Sequence, residues 1–104
     1  MSSLRPTLVN TIKPGLNYYG TYFRVLQAVR CRRSLIHGRL NDDRGGVCAI
    51  GAYFQETNVP VSSMAIEEIA AYNDSFPRLS PHMRWKRVKE WLTAQTAHIM
   101  KVKP

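Results

Sequence analysis

Residues 80–100 read SPHMRWKRVKEWLTAQTAHIM in one-letter code, and this stretch decides the fold that the sequence predicts. Ser80 is a favourable N-cap, and Pro81 suits the first helical position because an N–H there would have no partner. Apolar side chains follow at helical spacing, namely Trp85, Val88, Leu92 and Ile99, with Gln95 or Thr96 completing the stripe. The sequence therefore predicts a long amphipathic helix from Ser80 to about Met100.

A second helix is predicted immediately before this one. Ser62 or Ser63 serves as its N-cap, and two glutamates lie in its early turns, where carboxylates suit the positive end of the helix dipole. Its inner face is formed by Ile66, Ile69 and Ala70. The segment 73–77 ends it with residues typical of turns.

The segment 47–55 is predicted to form a short buried helix. Cys48, Gly51 and Ala52 share one face at spacings of three and four, and such small side chains let another helix approach closely. A strand is the alternative, because the run is short and contains Val, Ile, Tyr and Phe.

The N-terminal half is predicted to contain one long helix, over about 16–36. Its apolar stripe consists of Tyr19, Tyr22, Phe23, Leu26 and Val29 and ends near Arg33, and Gly38 offers a C-terminal stop. Residues 8–12 suggest a short helical turn that Pro14 and Gly15 stop. Residues 1–7 are expected to form a flexible arm, and 101–104 a tail.

Together these elements predict an all-α fold, a small single-domain bundle of four to five helices across 1–104. No apolar run approaches the roughly 20 residues of a membrane span, and the N-terminus has no signal-peptide core, so we expect a cytoplasmic protein with no membrane partner. Cys31 and Cys48 lie too far apart for a zinc-type pair, so no metal and no cofactor are expected, and both thiols should be reduced.

The charge of the chain predicts an anionic partner. It carries 15 Lys+Arg against 7 Asp+Glu, a formal net charge of +8 with a pI of about 10.0. Nucleic acid, a nucleoprotein or an acidic protein surface would each satisfy such an excess. A solvated basic surface without a partner is the alternative.

Two basic clusters are the predicted binding residues. They are Arg30, Arg32 and Arg33 on the N-terminal helix, and Arg84, Lys86, Arg87 and Lys89 on the last helix. Cations in the first half of a helix oppose its dipole, which suggests a use for the second cluster. The aromatic residues Tyr18, Tyr19, Tyr22 and Trp91 provide stacking surfaces if exposed, or ordinary core if not. A helix–turn–helix reading of 62–100 is weakened by a connection longer than the usual turn.

A thiol nucleophile is the enzymatic alternative. Cys48 would be activated by His37, with Asn73 or Asp74 orienting the imidazole. The competing interpretation packs Cys48 in the core and uses Asn73 and Asp74 to satisfy backbone groups in a turn.

Several short motifs resemble those of a family of short bacterial and phage domains of unknown function. The motifs are His37-Gly38, Cys48-Ala49-Ile50-Gly51-Ala52, Ala71-Tyr72-Asn73-Asp74, and Val88 through Trp91-Leu92. The family has no established activity, so the resemblance implies a small helical fold and a bacterial or phage origin rather than a reaction.

The sequence thus favours a non-catalytic basic binding protein that acts on nucleic acid or a nucleoprotein complex. The resemblance extends this to a phage or prophage accessory factor that inhibits a host defence complex, in the manner of an anti-CRISPR protein. A small cysteine-dependent enzyme and an assembly module that joins an acidic protein partner remain as alternatives.

Overall fold

Helices account for most of the described part of the chain, which covers residues 12–13, 18–57 and 59–102 of this computed structural model. The elements in chain order are β1 (Ile12–Lys13), α1 (Tyr18–Arg30), α2 (Ala49–Glu56), β2 (Val61–Ser62), α3 (Ser63–Asn73) and α4 (Pro81–Val102). Helix α1 lies at the centre and packs against the other three helices. A mostly helical small domain is therefore confirmed.

A two-stranded parallel sheet is the part of the fold that the all-α prediction missed. Ile12 of β1 lies opposite Val61 of β2, and Lys13 lies opposite Ser62. The predicted helical turn over 8–12 is wrong at Ile12, and residues 8–11 lie outside the described residues, as does the proposed arm over 1–7. Strands of two residues are too short to show an alternating pattern, so pairing with a distant segment decides their structure.

Helix α1 ends at Arg30, six residues before the predicted end. The N–H groups of Cys31 and Arg32 bond back three residues, to the carbonyls of Ala28 and Val29, which tightens the last turn. Beyond this turn, the backbone bonds to distant segments: Leu35 N–H donates to the Pro81 carbonyl and Ile36 N–H to the Val47 carbonyl. These long-range bonds replace the intrahelical ones that a longer α1 would need.

Val47 pairs with Asn41 in an isolated antiparallel bridge, but the rest of the segment 47–55 confirms the helical interpretation as helix α2. Cys48 is its N-cap, and the Cys48 sulfur accepts a hydrogen bond from the Gly51 N–H at 3.4 Å. A Cβ placed on Gly51 would lie 2.0 Å from the Leu40 carbonyl oxygen. At Gly51 the small face therefore admits the backbone of the preceding loop, and not the neighbouring helix that the sequence predicted.

The two C-terminal helices begin where the sequence predicts. The Ser62 hydroxyl accepts from the Ala65 N–H at 3.3 Å to cap α3, and the Ser80 hydroxyl accepts from the Met83 N–H at 3.2 Å to cap α4. The inner stripe of α4 consists of Arg84, Val88, Leu92, Thr96 and Ile99, all buried. No helix in the described ranges is long and apolar enough to span a bilayer.

Candidate nucleic-acid interface

One open cleft of about 560 Å³ brings residues of both predicted basic clusters together. Arg30, Cys31, Arg32 and Arg33 line it from the end of α1 and the turn that follows, and Trp85, Lys89 and Thr93 line it from α4. We call this the basic cleft. Among the described residues, its lining contains four cationic side chains and no carboxylate, so the charge of this lining is positive.

Trp85 aligns α4 with the end of α1. Its indole Nε1–H donates to the Val29 carbonyl at 2.9 Å. Trp85, Lys89 and Thr93 are spaced by four residues, so they form one stripe along α4 beside the buried one. The Lys89 ammonium lies 4.1 Å from the centroid of the Trp85 ring, a cation–π contact that holds Lys89 on the cleft side of the helix.

The guanidinium of Arg32 is held in place by two hydrogen bonds. Nη1 donates to Gln55 Oε1 at 3.2 Å and Nη2 donates to the Gly45 carbonyl at 2.9 Å. A guanidinium has five N–H donors, so others remain free for an anion. The side chains of Arg30 and Arg33 are exposed and make no hydrogen bond or ion pair among the described residues, although the Arg33 carbonyl oxygen lies 3.0 Å from His82 Nδ1 in a hydrogen bond.

Lys86 and Arg87 lie outside the lining of the cleft. Lys86 is exposed, and its position is about 60° around α4 from Lys89, at the edge of the cleft, since successive residues turn by about 100°. Arg87 lies on the far flank, where its guanidinium carbon sits 5.4 Å from the centroid of the Phe76 ring. The structure therefore assembles Arg30, Arg32, Arg33 and Lys89, with Lys86 nearby and Arg87 apart.

Arg84 belongs to the core, which contradicts its prediction as a binding residue. It is 2 % exposed, and its guanidinium donates to the carbonyls of Leu35, Phe76 and Leu79. Its buried Nε has no partner among the described residues. Arg84 lies four residues before Val88 on the inner stripe, and this spacing was the sequence signal that could have placed it inside. From its position near the start of α4, Arg84 therefore hydrogen-bonds to the connecting segments that contain these three carbonyls.

The aromatic residues considered for base stacking are mostly packed against one another. Tyr22 is buried, and the Trp91 ring stacks on Tyr72 with centroids 4.3 Å apart and an interplanar angle of 8°. Tyr19 is 53 % exposed. It lies near the start of α1, about 16 Å along the helix from Arg30 at 1.5 Å per residue. The exposed Tyr19 ring is therefore separate from the basic cleft.

The proposed thiol nucleophile is buried at a helix start. Cys48 is 6 % exposed, and burial raises the pKa of its thiol, which disfavours the thiolate that catalysis would need. Both cysteines are free, and Cys31 is exposed. The Cys48 environment thus favours the packing interpretation.

Asn73 and Asp74 satisfy backbone groups of neighbouring segments. Asn73 Oδ1 accepts from the Ala49 N–H at 3.2 Å, and its Nδ2 donates to the Ile36 carbonyl at 2.9 Å. Asp74 Oδ1 accepts from the Gly38 N–H at 2.9 Å. These bonds join the motifs that carry the family resemblance, and they give both side chains a structural use in place of orienting the His37 imidazole.

Comparisons with models of known families, with curated proteins and with solved structures give no match. The resemblance to the phage and bacterial domain family accordingly stays a prediction. Within the described ranges, no group of three or more His, Cys, Asp or Glu side chains is arranged to hold a metal ion.

Proposed function

We propose that this chain is a non-catalytic basic binding protein whose basic cleft holds phosphate groups of a nucleic acid, either free or within a nucleoprotein complex. The observation that carries the proposal is the convergence of Arg30, Arg32, Arg33 and Lys89 on one cleft, where no carboxylate of the described part of the chain joins the lining. An anion entering this cleft would meet donors from two elements at once.

The electrostatics of the cleft favour an external anion. Four like charges around one concavity repel one another, and a bound phosphate removes that cost. Arginine's planar fork matches the geometry of a phosphate, and Arg32 is already positioned by its bonds to Gln55 and Gly45. Preorganised donors lose less conformational entropy on binding than mobile ones.

The finer proposal is that the partner is a host defence complex inhibited by a phage or prophage accessory factor. It is supported by the family resemblance alone. Such an inhibitor would compete with nucleic acid or occupy its channel, and its cationic residues would then meet a bound phosphate backbone or an acidic patch of the complex.

The binding proposal is tested by the affinity of the protein for a labelled 20-nucleotide strand and a 20-base-pair duplex over a salt series. Arg30→Glu/Arg33→Glu should abolish binding at physiological salt. Arg39→Glu/Arg78→Glu is the matched control, because both residues are exposed arginines outside the basic cleft and the change in net charge is the same. If both double variants weaken binding equally, net charge rather than the cleft governs binding.

A pull-down from host lysate with and without nuclease separates nucleic acid from an acidic protein partner. Recovery that collapses with nuclease supports direct nucleic-acid binding. A single protein complex that survives nuclease and is lost in Arg30→Glu/Arg33→Glu supports the assembly alternative and contradicts direct binding.

A further inference from the structure

We infer that the basic cleft contacts the sugar–phosphate backbone and not the bases, so that its ligand is a phosphodiester chain of any sequence. This inference rests on the proposed function and names the ligand class of the same site. It follows from the concave shape of the cleft, from the contacts that its aromatic residue already makes, and from the cationic character of its hydrogen-bond donors.

The shape of the site favours groups that project from a nucleic acid. Base edges in a duplex are recessed in the grooves, and proteins read them with an element that protrudes, such as a helix or a β-ribbon. The arginines here line a concavity of about 560 Å³ at the junction of α1 and α4. A phosphate ridge fits such a concavity, whereas a groove edge does not reach into it.

An unstacked base would be the other projecting group, and it would need an aromatic platform. Trp85 is the one aromatic residue that lines the cleft within the ranges that the structure describes. Its ring is contacted by Lys89 at 4.1 Å, one turn after it on α4, and by His82 at 5.4 Å between centroids, one turn before it. Its Nε1–H already donates a hydrogen bond to the Val29 carbonyl. A base would have to displace these contacts before it stacked.

The donors in the cleft recognise charge. The described residues of the lining include no Asn or Gln, the side chains that read adenine with paired hydrogen bonds. The Thr93 hydroxyl donates to the Lys89 carbonyl at 2.8 Å, so its hydrogen is already used within α4. The donors that remain available to a ligand are therefore cationic, and they belong to Arg30, Arg32, Arg33 and Lys89.

The test compares labelled 20-nucleotide strands of poly-dA, poly-dT and mixed sequence, with unlabelled inorganic polyphosphate as a base-free competitor. We expect the three dissociation constants to agree within about threefold and polyphosphate to displace each strand. Arg30→Ala/Arg33→Ala should reduce the magnitude of the salt slope by about 1.4, since each single-strand phosphate contact contributes about 0.7. Arg39→Ala/Arg78→Ala should leave the slope unchanged.

Two results would overturn the inference while leaving the proposed function intact. One is a preference of tenfold or more for one base composition that Arg30→Ala/Arg33→Ala removes. The other is binding of all strands in the cleft that polyphosphate fails to displace. If the wild-type protein binds none of the nucleic acids at low salt, the proposed function itself fails, and the inference falls with it.

Discussion

The indole Nε1–H of Trp85 donates to the carbonyl of Val29 at 2.9 Å, across 56 residues of sequence. This bond connects the stripe of α4 that carries Lys89 to the last turn of α1, after which Arg32 and Arg33 follow. The Val29 carbonyl also accepts from the Arg32 N–H at 3.0 Å. One backbone oxygen therefore ties together the two sides of the basic cleft.

Replacing the donor should open the cleft. Trp85→Phe removes the Nε1–H, so we expect a loss of about 1 kcal/mol in the free energy of unfolding and a severalfold weaker affinity for a labelled oligonucleotide. Trp91→Phe is the control, because Trp91 packs on Tyr72 and does not line the cleft. Equal losses of affinity in the two variants, measured by fluorescence anisotropy, would argue against Trp85 as the positioning residue.

Arg84 should govern stability rather than binding. Arg84→Met leaves three carbonyls without their donor, and we expect the free energy of unfolding to fall by at least about 2 kcal/mol in urea denaturation. Lys86→Met removes the same charge from an exposed neighbour and should cost less than about 0.5 kcal/mol. An Arg84→Met variant as stable as Lys86→Met would contradict the buried position.

Gly51 should not tolerate a side chain. An alanine Cβ would lie 2.0 Å from the Leu40 carbonyl oxygen, so either the loop or α2 must move, at a cost on the order of 3 kcal/mol. Gly38→Ala is the comparison: Gly38 has a φ of 81°, but a Cβ there meets nothing within 4 Å. Its cost should stay near 1–2 kcal/mol, about that of a left-handed backbone. Thermal unfolding of both variants measures the difference.

The two thiols should react at very different rates. Cys31 is exposed, whereas Cys48 is buried and its pKa is raised by desolvation, so native-state alkylation of Cys48 should be at least about tenfold slower. The Cys31→Ser variant isolates Cys48, and denaturant should restore fast labelling. If Cys48 in the native protein reacts as fast as an unfolded thiol, this prediction is contradicted and the alternative of a cysteine-dependent enzyme gains support.

Tyr22 should make stability depend on alkaline pH. Burial, and then its hydrogen bond to Glu68, raise the pKa of Tyr22 above its ordinary value of 10.0. The unfolded chain therefore loses this proton first, and the stability that the phenol contributes is present below pH 10 and falls as pH rises beyond it. We expect Tyr22→Phe to be less stable than wild type at pH 7 and the gap to narrow above about pH 10. A gap that stays constant with pH would contradict the raised pKa.

The boundaries of α3 and α4 were predictable because capping residues act locally. Ser62 and Ser80 cap the helices that follow them, and Asn73 ends α3. The end of α1 was not predictable in this way, since the backbone of Leu35 and Ile36 bonds to segments that lie at least 11 residues away. The parallel sheet escaped prediction for the same reason.

The cleft was only partly predictable from the sequence. The clusters of basic residues in the sequence predicted Arg30, Arg32, Arg33 and Lys89 as binding residues. The register of α4 against α1, however, decides which cations of α4 lie close to the arginines. The Trp85 bond joins α4 to the last turn of α1, and no local pattern contains that register, whereas the four-residue spacing of Arg84 and Val88 does indicate that Arg84 faces inward.

The most direct measurement of the central claim is an amide and indole NMR titration of the protein with a short mixed-sequence oligonucleotide. We expect the largest shifts at residues 30–34 and 89–93 and at the Trp85 indole N–H, while the Trp91 indole N–H, packed away from the cleft, stays in place. Shifts confined to the Tyr19 end of α1 or to the Cys48 region, with the Trp85 indole unmoved, would contradict the basic cleft as the binding site.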